Sequence, residues 1–233
     1  MAPDGVRVLT FDVVGTLIDF ETGILNCLRP LTGAGDAELL DAFGRAEGIQ
    51  QRRTPELPFT QMLEPTYARM AAELGLPDGA PLRESIPDWP AFPDAVRALR
   101  ALGRRFRLVA LTNADNWAMT HMAATLGEPF DDAVTVEDVG VNKPDPQMFA
   151  YCLGRQSVHG YRRAEFVHVA QSQYHDIGAA HRLGYRTCWV ERRHGESGTG
   201  ATPAAATITT PDYHVTSLAE LVKEWEIEKQ TTA

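Results

Sequence analysis

At 233 residues, the chain is long enough for one large domain or for a core with a smaller insert. Its 44% hydrophobic and 23% charged residues are typical of a soluble globular protein. The formal net charge of -9 argues against a nucleic-acid partner or an anionic membrane surface, because binding phosphate groups requires a basic face. A small anionic ligand is not excluded, since a local field can oppose the net charge.

The sequence lacks the usual marks of a membrane or secreted protein. No stretch approaches the roughly 18 apolar residues that span a bilayer, and the first residues lack a charged start followed by a hydrophobic run. Cys27, Cys152 and Cys188 are far apart and show no metal-binding spacing. We therefore expect reduced thiols, a cytoplasmic location and no membrane association.

The chain begins with an alternating apolar run that predicts a short buried strand ending at Asp12. After Leu17 the periodicity becomes helical. Helices are predicted from about 21 to 31, with Thr22 or Asp19 as the cap, from 36 to 50 and from 59 to 74.

This helical block lies between the first strand and the next βα units, so we interpret it as an inserted cap. Residues 18–91 are assigned to the cap, and residues 1–17 with 92–233 to the core. The proline-rich segment 81–93 is predicted to return the chain to the core.

The remainder alternates strands with helices. Strands are predicted at 106–111, 133–136, 166–170 and 186–190, and helices at 94–102, 115–126, 146–153 and 175–183. This alternation predicts an α/β fold with a doubly wound parallel sheet and helices on both faces. Residues 195–210, rich in Gly, Ala, Thr and Ser, are predicted to form a mobile surface loop. An edge strand at 212–215 and a final helix capped by Ser217 follow.

Polar residues recur where the predicted strands end. Asp12 follows the first strand, Thr112 and Asn113 follow the second, and Asp176 lies shortly after the strand that ends at 170. Lys143 precedes a proline, which disfavours helix there and leaves the lysine on a loop. Because parallel strands bring their carboxyl ends to one crevice, we expect these side chains to meet there.

These residues, in this order, resemble the haloacid dehalogenase superfamily over nearly the whole chain. The motifs are Asp-Val-Val-Gly-Thr at 12–16, Leu-Thr-Asn at 111–113, Asn-Lys-Pro-Asp at 142–145 and Gln-Ser-Gln-Tyr-His-Asp at 171–176. A helical insert after the first motif also matches that family's cap arrangement. The resemblance implies a doubly wound core with a helical lid and Asp12 as the covalent nucleophile.

Two substitutions distinguish between the branches of the superfamily. Its phosphatases carry a second Asp two residues after the nucleophile, where this chain has Val14, which can neither donate nor accept a proton. They also hold Mg²⁺ with an acidic pair, and Gln171 replaces the first of that pair. The pattern resembles instead the 2-haloacid dehalogenase branch, which uses no metal, so we expect no cofactor.

The resemblance implies a reaction in two steps. Asp12 attacks the α-carbon of a short 2-haloalkanoate, displaces halide with inversion and forms an ester. Lys143 keeps Asp12 ionised by lowering its pKa. Water then attacks the ester, with Asp176 as the candidate to orient or deprotonate it. The products are a 2-hydroxy acid and halide.

Further residues are expected to bind the substrate. Thr16, Thr112 and nearby backbone amides would hold its carboxylate, and Asn113 matches the family position near the halide. The family also supplies a cap arginine. Arg45 fits best by spacing, Arg52 or Arg53 remain open, and Arg45 is alternatively only a solvated helix charge.

The chain departs from the branch pattern at four positions that we include among the substrate-binding residues with Val14. Gln171 and Gln173 replace Ser and Asn, Phe149 replaces a Tyr, and His175 replaces an aromatic residue of the halide pocket. Since histidine can donate a hydrogen bond or carry charge, we hypothesise that a short haloacid, fluoroacetate among the candidates, is the preferred substrate. Alternatively, His175 only caps the following helix.

Two rival functions remain open. A phosphatase of the same superfamily would use Asp176 and a backbone carbonyl to bind Mg²⁺. A non-catalytic relative would bind a metabolite or a protein partner through the cap. His168 and His121 are interpreted as structural, and Arg192 with Arg193 as a solvated charge pair. A homodimer is possible, because dimers are common in the family.

Overall fold

A computed structural model describes residues 2–79 and 82–227. Its sheet contains the strands β1 (Val8–Phe11), β2 (Arg107–Leu111), β3 (Asp132–Val134), β4 (Phe166–Ala170), β5 (Arg186–Val190) and β6 (Tyr213–Val215). The spatial order is β3-β2-β1-β4-β5-β6, and each neighbouring pair is parallel. The predicted doubly wound parallel sheet is confirmed.

β1 occupies the middle of the sheet, and all four of its residues are buried. It pairs with β2 on one side and with β4 on the other, so the strand order reverses beside it. Loops leaving neighbouring strands diverge at such a reversal and open a crevice at the carboxyl ends of the strands. Asp12 directly follows β1 and therefore lies at this crevice.

The helices alternate with the strands. Between β1 and β2 lie α1 (Phe20–Leu28), α2 (Asp36–Arg53) and α3 (Phe59–Leu74); the later helices are α4 (Ala95–Leu102), α5 (Asn116–Leu126), α6 (Val136–Val139), α7 (Pro146–Ser157), α8 (Gly178–Arg182) and α9 (Leu218–Glu224). The helix predicted from 175 differs, because a π-helical turn at Gln173–Ile177 precedes α8. Ser172 caps this turn by accepting the backbone N–H of His175 at 2.9 Å.

Side-chain caps explain why several helices begin where they do. Asp19, Asp115, Asp145 and Ser217 each accept a backbone N–H from the first turn of α1, α5, α7 and α9, respectively. Such a bond satisfies a donor that the helix itself leaves unpaired. Of the two caps considered for α1, Asp19 is the one used.

An aromatic cluster joins the helices that follow β1. The ring of Phe20 lies 6.5 Å from Phe43 and 6.4 Å from Trp89, and Phe59 lies 6.2 Å from Trp89. Gly23 of α1 lies against the indole of Trp89, where a Cβ atom would clash. The cluster thus ties α1, α2 and α3 to the segment that returns to the core.

The two connections between these helices and the core run side by side. Ile18 pairs with Ala91, and the amide of Phe92 donates to the carbonyl of Leu17 at 2.9 Å. Pro81, the start of the predicted return segment, lies outside the described residues. The division into a cap at 18–91 and a core stays a prediction.

Two further expectations concern the whole chain. Cys27, Cys152 and Cys188 are all free thiols. Within the described residues, no helix combines the length and apolar character needed to cross a bilayer.

Candidate active site

A buried lysine between two carboxylates forms the centre of the crevice. Lys143 Nζ donates to Asp12 Oδ1 at 2.8 Å, to Asp176 Oδ1 at 2.7 Å and to the carbonyl of Leu111 at 2.8 Å. The lysine is 1% exposed, which places its charge in a water-poor environment. The three side chains predicted to be catalytic are therefore brought into direct contact.

The second oxygen of Asp12 is also held. Thr16 Oγ1 donates to Asp12 Oδ2 at 2.7 Å and accepts the backbone N–H of Gln171 at 2.9 Å. Thr16 is fully buried and does not reach the pocket wall. This corrects its predicted contact with the substrate carboxylate, because its hydroxyl is already committed to orienting Asp12.

The charges in this group affect one another's pKa. Burial and repulsion from Asp176 raise the pKa of Asp12, although Lys143 and Thr16 oppose that rise. For Asp176, burial is outweighed by Lys143 and by a hydrogen bond from His168, which lower its pKa to about 2. The predicted lowering of the Asp12 pKa by Lys143 is thus only one contribution to a net rise.

His168 extends the network into the sheet. Its Nε2 lies 2.9 Å from Asp176 Oδ1, and its Nδ1 lies 2.9 Å from Thr10 Oγ1. With Nε2 as the donor, Nδ1 accepts from the threonine hydroxyl, and both ring nitrogens are satisfied. The residue is structural, as predicted, but it supports a carboxylate of the site.

Phe149 lies behind this histidine. Its ring contacts the His168 ring edge-on with the centroids 5.2 Å apart, and it is fully buried. It does not line the pocket, which corrects its predicted place among the substrate-binding residues. The cause is its position on α7, where it packs in a buried cluster with Val8 of β1 and Phe166 of β4.

A small pocket of about 60 Å³ lies between the strand ends and helices α2 and α3. Most predicted site residues line it: Asp12, Val14, Thr112, Asn113, Lys143 and Gln171. His175 and Asp176 line it as well. The strand-end positions and the family resemblance together therefore predicted residues that line the core side of this pocket.

Asn113 holds the backbone of Lys143 in place. Its Oδ1 accepts the backbone N–H of Lys143 at 2.7 Å, and its Nδ2 donates to the Lys143 carbonyl at 3.1 Å. The Asn113 carbonyl also accepts the N–H of Phe59 at 3.1 Å, at the start of α3. The side chain predicted to bind halide thus uses its amide group to hold a loop.

His175 contacts the cap helix α2. Its Nε2 lies 3.0 Å from Gln51 Oε1, and its Nδ1 lies 3.2 Å from Ser172 Oγ. Burial lowers the pKa of His175 to about 4, so the ring is neutral at neutral pH and has one N–H to give. It carries no charge that could stabilise a halide under those conditions.

Gln173 lies outside the pocket. Its side-chain amide pairs with the backbone of Thr209, accepting the N–H at 3.0 Å and donating to the carbonyl at 3.3 Å. The residue therefore fixes the segment between β5 and β6, which corrects its predicted contact with substrate.

The expected cap arginine is not in the pocket. Arg45 is exposed on α2 and pairs with Glu73 of α3 at 2.5 Å, and Arg52 and Arg53 are exposed too. Position 45 lies on the face of α2 opposite to the buried Phe43 and Glu47, because residues four apart share a helix face. Of the two interpretations of Arg45, the structure matches the solvated helix charge.

Sequence reasoning missed the cap side of the pocket. Glu47 and Gln51 of α2 line it, together with the apolar side chains Phe20, Phe59 and Met62. Glu47 and Gln51 continue the helical spacing of Leu39 and Phe43, so the signal was polar residues on the buried face of α2.

The segment predicted as a mobile surface loop also contributes. Ala201, Thr202 and Pro203 line the pocket, and Ala201 is buried. The N–H of Ala201 donates to Glu21 Oε1 at 2.7 Å. Gly200 and Ala201 lie against α1 and α2, so part of the predicted surface loop borders the pocket.

Arg192 and Arg193 are not a solvated pair. Arg192 donates to the Thr16 carbonyl at 2.8 Å and pairs with Asp94 at 2.9 Å. Arg193 pairs with Glu21 at 2.6 Å. Both arginines thus support the loops around the site.

The side chains around the two carboxylates offer few further ligands for a metal ion. No cluster of three His, Cys, Asp or Glu suited to a metal occurs in the described part of the chain. The two carboxylates of the site are already bridged by the Lys143 ammonium, and Gln171 offers a neutral amide. These residues fit Mg²⁺ poorly, because that ion favours carboxylate and water ligands in octahedral geometry.

Comparison with known proteins identifies the family. The sequence model of the haloacid dehalogenase-like hydrolases matches residues 6–184. The chain belongs to this family. Four residues from the segments that carry the resemblance line the pocket: Asp12, Thr112, Lys143 and Asp176.

Several curated members of the family are similar over most of the chain. One is (S)-2-haloacid dehalogenase 1 of Pseudomonas sp. (strain CBS-3), 27% identical over 201 residues that cover 81% of this chain and 86% of that protein. Another is haloacetate dehalogenase H-2 of Moraxella sp. (strain B), 27% identical over 201 residues, 80% of this chain and 86% of that protein.

The fold of the family is also recognisable in solved structures. The L-2-haloacid dehalogenase from Xanthobacter autotrophicus, solved with chloropropionic acid covalently bound, superposes with a TM-score of 0.77. It is 20% identical, and the alignment covers 97% of this chain and all of that one. This likeness supports the fold.

Proposed function

We propose that the protein is a hydrolytic dehalogenase of short 2-haloalkanoic acids. The observation that carries the proposal is the Lys143 ammonium between Asp12 and Asp176, with Val14 where a phosphatase needs its general acid. An ionised carboxylate without a proton donor two residues later suits a leaving group that departs as an anion. Halide is such a group, and the names of the curated relatives agree with it.

In the first step, Asp12 attacks the α-carbon of the haloacid. A carbon–oxygen bond forms, the carbon–halogen bond breaks, and halide leaves with its electron pair. Hydrogen bonds from Lys143 and Thr16 fix the carboxylate, so the attack loses little orientational entropy. The pocket residue Thr112 remains the candidate to bind the substrate carboxylate.

In the second step, water hydrolyses the aspartyl ester. Asp176 lines the pocket beside Lys143 and is the candidate to orient this water. Its pKa of about 2 makes it a weak base, which favours orientation over full proton removal. Hydrolysis releases the 2-hydroxy acid and restores Asp12. We propose that neither step uses a metal, since the lysine supplies the local positive charge.

The size of the pocket favours a short substrate. Its volume is about 60 Å³, whereas an apolar cavity of about 150 Å³ holds benzene. Haloacetates and 2-halopropionates are therefore the first candidates. Fluoroacetate stays among them, and the hypothesis that His175 assists fluoride release is abandoned if His175→Phe leaves that release unchanged.

The proposal predicts halide release that resists EDTA. Purified protein is incubated with chloroacetate, fluoroacetate and both enantiomers of 2-chloropropionate, with and without EDTA, and free halide is measured. We expect Asp12→Asn to reduce release by more than about a thousandfold, because the nucleophile is lost while the fold is kept.

Hydrolysis of p-nitrophenyl phosphate with Mg²⁺ serves as the parallel assay. Mg²⁺-dependent phosphate release without halide release would replace the proposal by the phosphatase alternative. Inactivity in both assays would favour the non-catalytic binding protein.

A further inference from the structure

Glu47 is a buried acid at the wall of the pocket whose role the family motifs do not explain. It lies on α2 and is 6% exposed. Its Oε2 atom is inaccessible to solvent and makes no hydrogen bond to any described residue. An unpaired buried carboxyl oxygen costs free energy, so such a position calls for a partner that is present only during function.

The direction of the reaction shows where that partner lies. Displacement with inversion requires the leaving group to depart on the side of the carbon opposite to the attacking oxygen of Asp12. Asp12 lies at the carboxyl end of the central strand β1, whereas Glu47 belongs to helix α2, and both line the same pocket. The halogen of a bound haloacid therefore points toward the cap helices.

Two other polar side chains that line the pocket have protein partners. Gln51 pairs with His175, and Asn113 pairs with the backbone of Lys143. In the described part of the chain no arginine lines the pocket. On α2, Glu47 is thus the pocket-lining side chain with a carboxyl oxygen that no described residue binds.

We propose that Glu47, as the neutral carboxylic acid, donates a hydrogen bond to the leaving halide. The donated proton stays on Glu47, and the halide departs with the electron pair of the broken carbon–halogen bond. The inference rests on the proposed dehalogenase function and adds to it a specific donor for the halide.

The environment of Glu47 keeps it in the form that can donate. Burial raises the pKa of Glu47 to about 8, so its carboxyl is protonated at neutral pH. The titratable groups that line the same pocket are Asp12, Lys143, His175 and Asp176. Those on α1 and α3, which pack beside α2, are Glu21, Cys27, Glu64, Tyr67, Arg69 and Glu73.

None of these neighbouring groups counteracts the rise in the pKa of Glu47, which is caused by burial. Above about pH 8 the carboxyl ionises and repels an anionic substrate and a departing halide. Glu47 therefore stops being a hydrogen-bond donor as the pH rises above about 8.

The pH dependence of kcat/KM for chloroacetate tests the inference. In the wild type we expect a fall of about tenfold per pH unit above about pH 8, as the acid form disappears. Glu47→Gln keeps a neutral N–H donor that does not titrate, so it retains activity and loses this alkaline fall. Glu47→Leu removes the donor and lowers kcat/KM by about 10- to 100-fold at every pH.

Glu38→Gln is the matched control, since it removes an exposed carboxylate from the same helix and should match the wild type. Circular dichroism checks that each variant is folded. An unchanged alkaline fall in Glu47→Gln, or wild-type activity in Glu47→Leu, would overturn the inference.

Chloride binding by calorimetry separates this inference from the proposed function. We expect binding that weakens in the wild type between about pH 6 and about pH 10, remains constant in Glu47→Gln and is lost in Glu47→Leu. If chloride binding follows this pattern but no haloacid is dehalogenated, the proposed reaction is rejected and the role of Glu47 as a halide donor is retained. Equal chloride affinity in the wild type and Glu47→Leu would reject the donor.

Discussion

At the scale of single residues, the site depends on one cation shared by two carboxylates. Lys143 is 1% exposed and contacts Asp12 and Asp176 directly. Removing one partner of a buried ion pair leaves the others uncompensated in a medium of low polarity. We therefore expect the lysine to stabilise the fold as well as to orient Asp12.

Lys143→Met is expected to lower the free energy of unfolding by about 3–5 kcal/mol at neutral pH and to abolish halide release. The decrease in the free energy of unfolding should be smaller at about pH 3 than at neutral pH, because protonation of the carboxylates removes their repulsion. Urea unfolding at both pH values measures it. Lys223→Met, at an exposed position on α9, is the control and should change stability by less than about 0.5 kcal/mol. Equal losses at both pH values would contradict the ionic explanation.

The residues of the core half of the site were predictable because they follow strand ends in a recognisable order. Arg45 was not placed correctly, because spacing within a family motif does not tell which face of α2 is buried. The helical spacing of Phe43, Glu47 and Gln51 carries that information, but an acid on an apolar face has no obvious function until the pocket is seen.

At the scale of elements, the packing of α1 against the return segment depends on a glycine. Gly23 is buried in α1 and contacts the indole of Trp89, which is 2% exposed. The indole N–H donates to Ser85 Oγ at 2.9 Å, which fixes the ring orientation. The ring has little freedom to move away from a larger side chain.

Gly23→Ala should therefore destabilise the protein by about 1–3 kcal/mol, although alanine normally favours a helix. Thermal unfolding measures the change. Gly154→Ala in α7, where the added Cβ meets no atom, is the control and should be neutral or stabilising. A stabilised Gly23→Ala variant would show that α1 adjusts its position freely.

Helix and strand locations followed from periodicity and from side-chain caps such as Asp115, which accepts the N–H of Ala118 at 2.8 Å. The segment at 195–210 lacks helix and strand and is largely exposed, as its composition predicts. Its place beside the pocket does not follow from composition, because it depends on partners distant in sequence, Glu21 for Ala201 and Gln173 for Thr209, which no local pattern contains.

At the scale of the whole molecule, Glu21 links α1 to the segment between β5 and β6. It accepts the Ala201 N–H and pairs with Arg193 at 2.6 Å. Ala201 and Thr202 in turn line the pocket. One carboxylate thus joins the helices after β1 to the loop that borders the ligand.

Glu21→Ala is expected to raise KM for the haloacid by several-fold and to speed amide hydrogen exchange in residues 196–203, because the loop loses its anchor. Exchange measured by mass spectrometry, beside initial rates, tests this. Glu196→Ala removes the exposed partner of Arg193 and should leave both quantities nearly unchanged, since exposed ion pairs contribute little. Unaltered exchange in Glu21→Ala would mean that packing alone orders the loop.

The sharing of Lys143 by Asp12 and Asp176 also sets the charge of the site through the proposed cycle. With both acids ionised the trio carries a net charge of minus one, and a haloacid anion must enter against it. Ester formation neutralises Asp12 and leaves the trio electrically neutral, so the covalent intermediate is the state that best tolerates a bound carboxylate. Hydrolysis restores the negative charge beside the newly formed hydroxy acid. The net negative charge of the site is thus restored when the product has to leave. Repulsion between this charge and the carboxylate of the hydroxy acid favours release of the product.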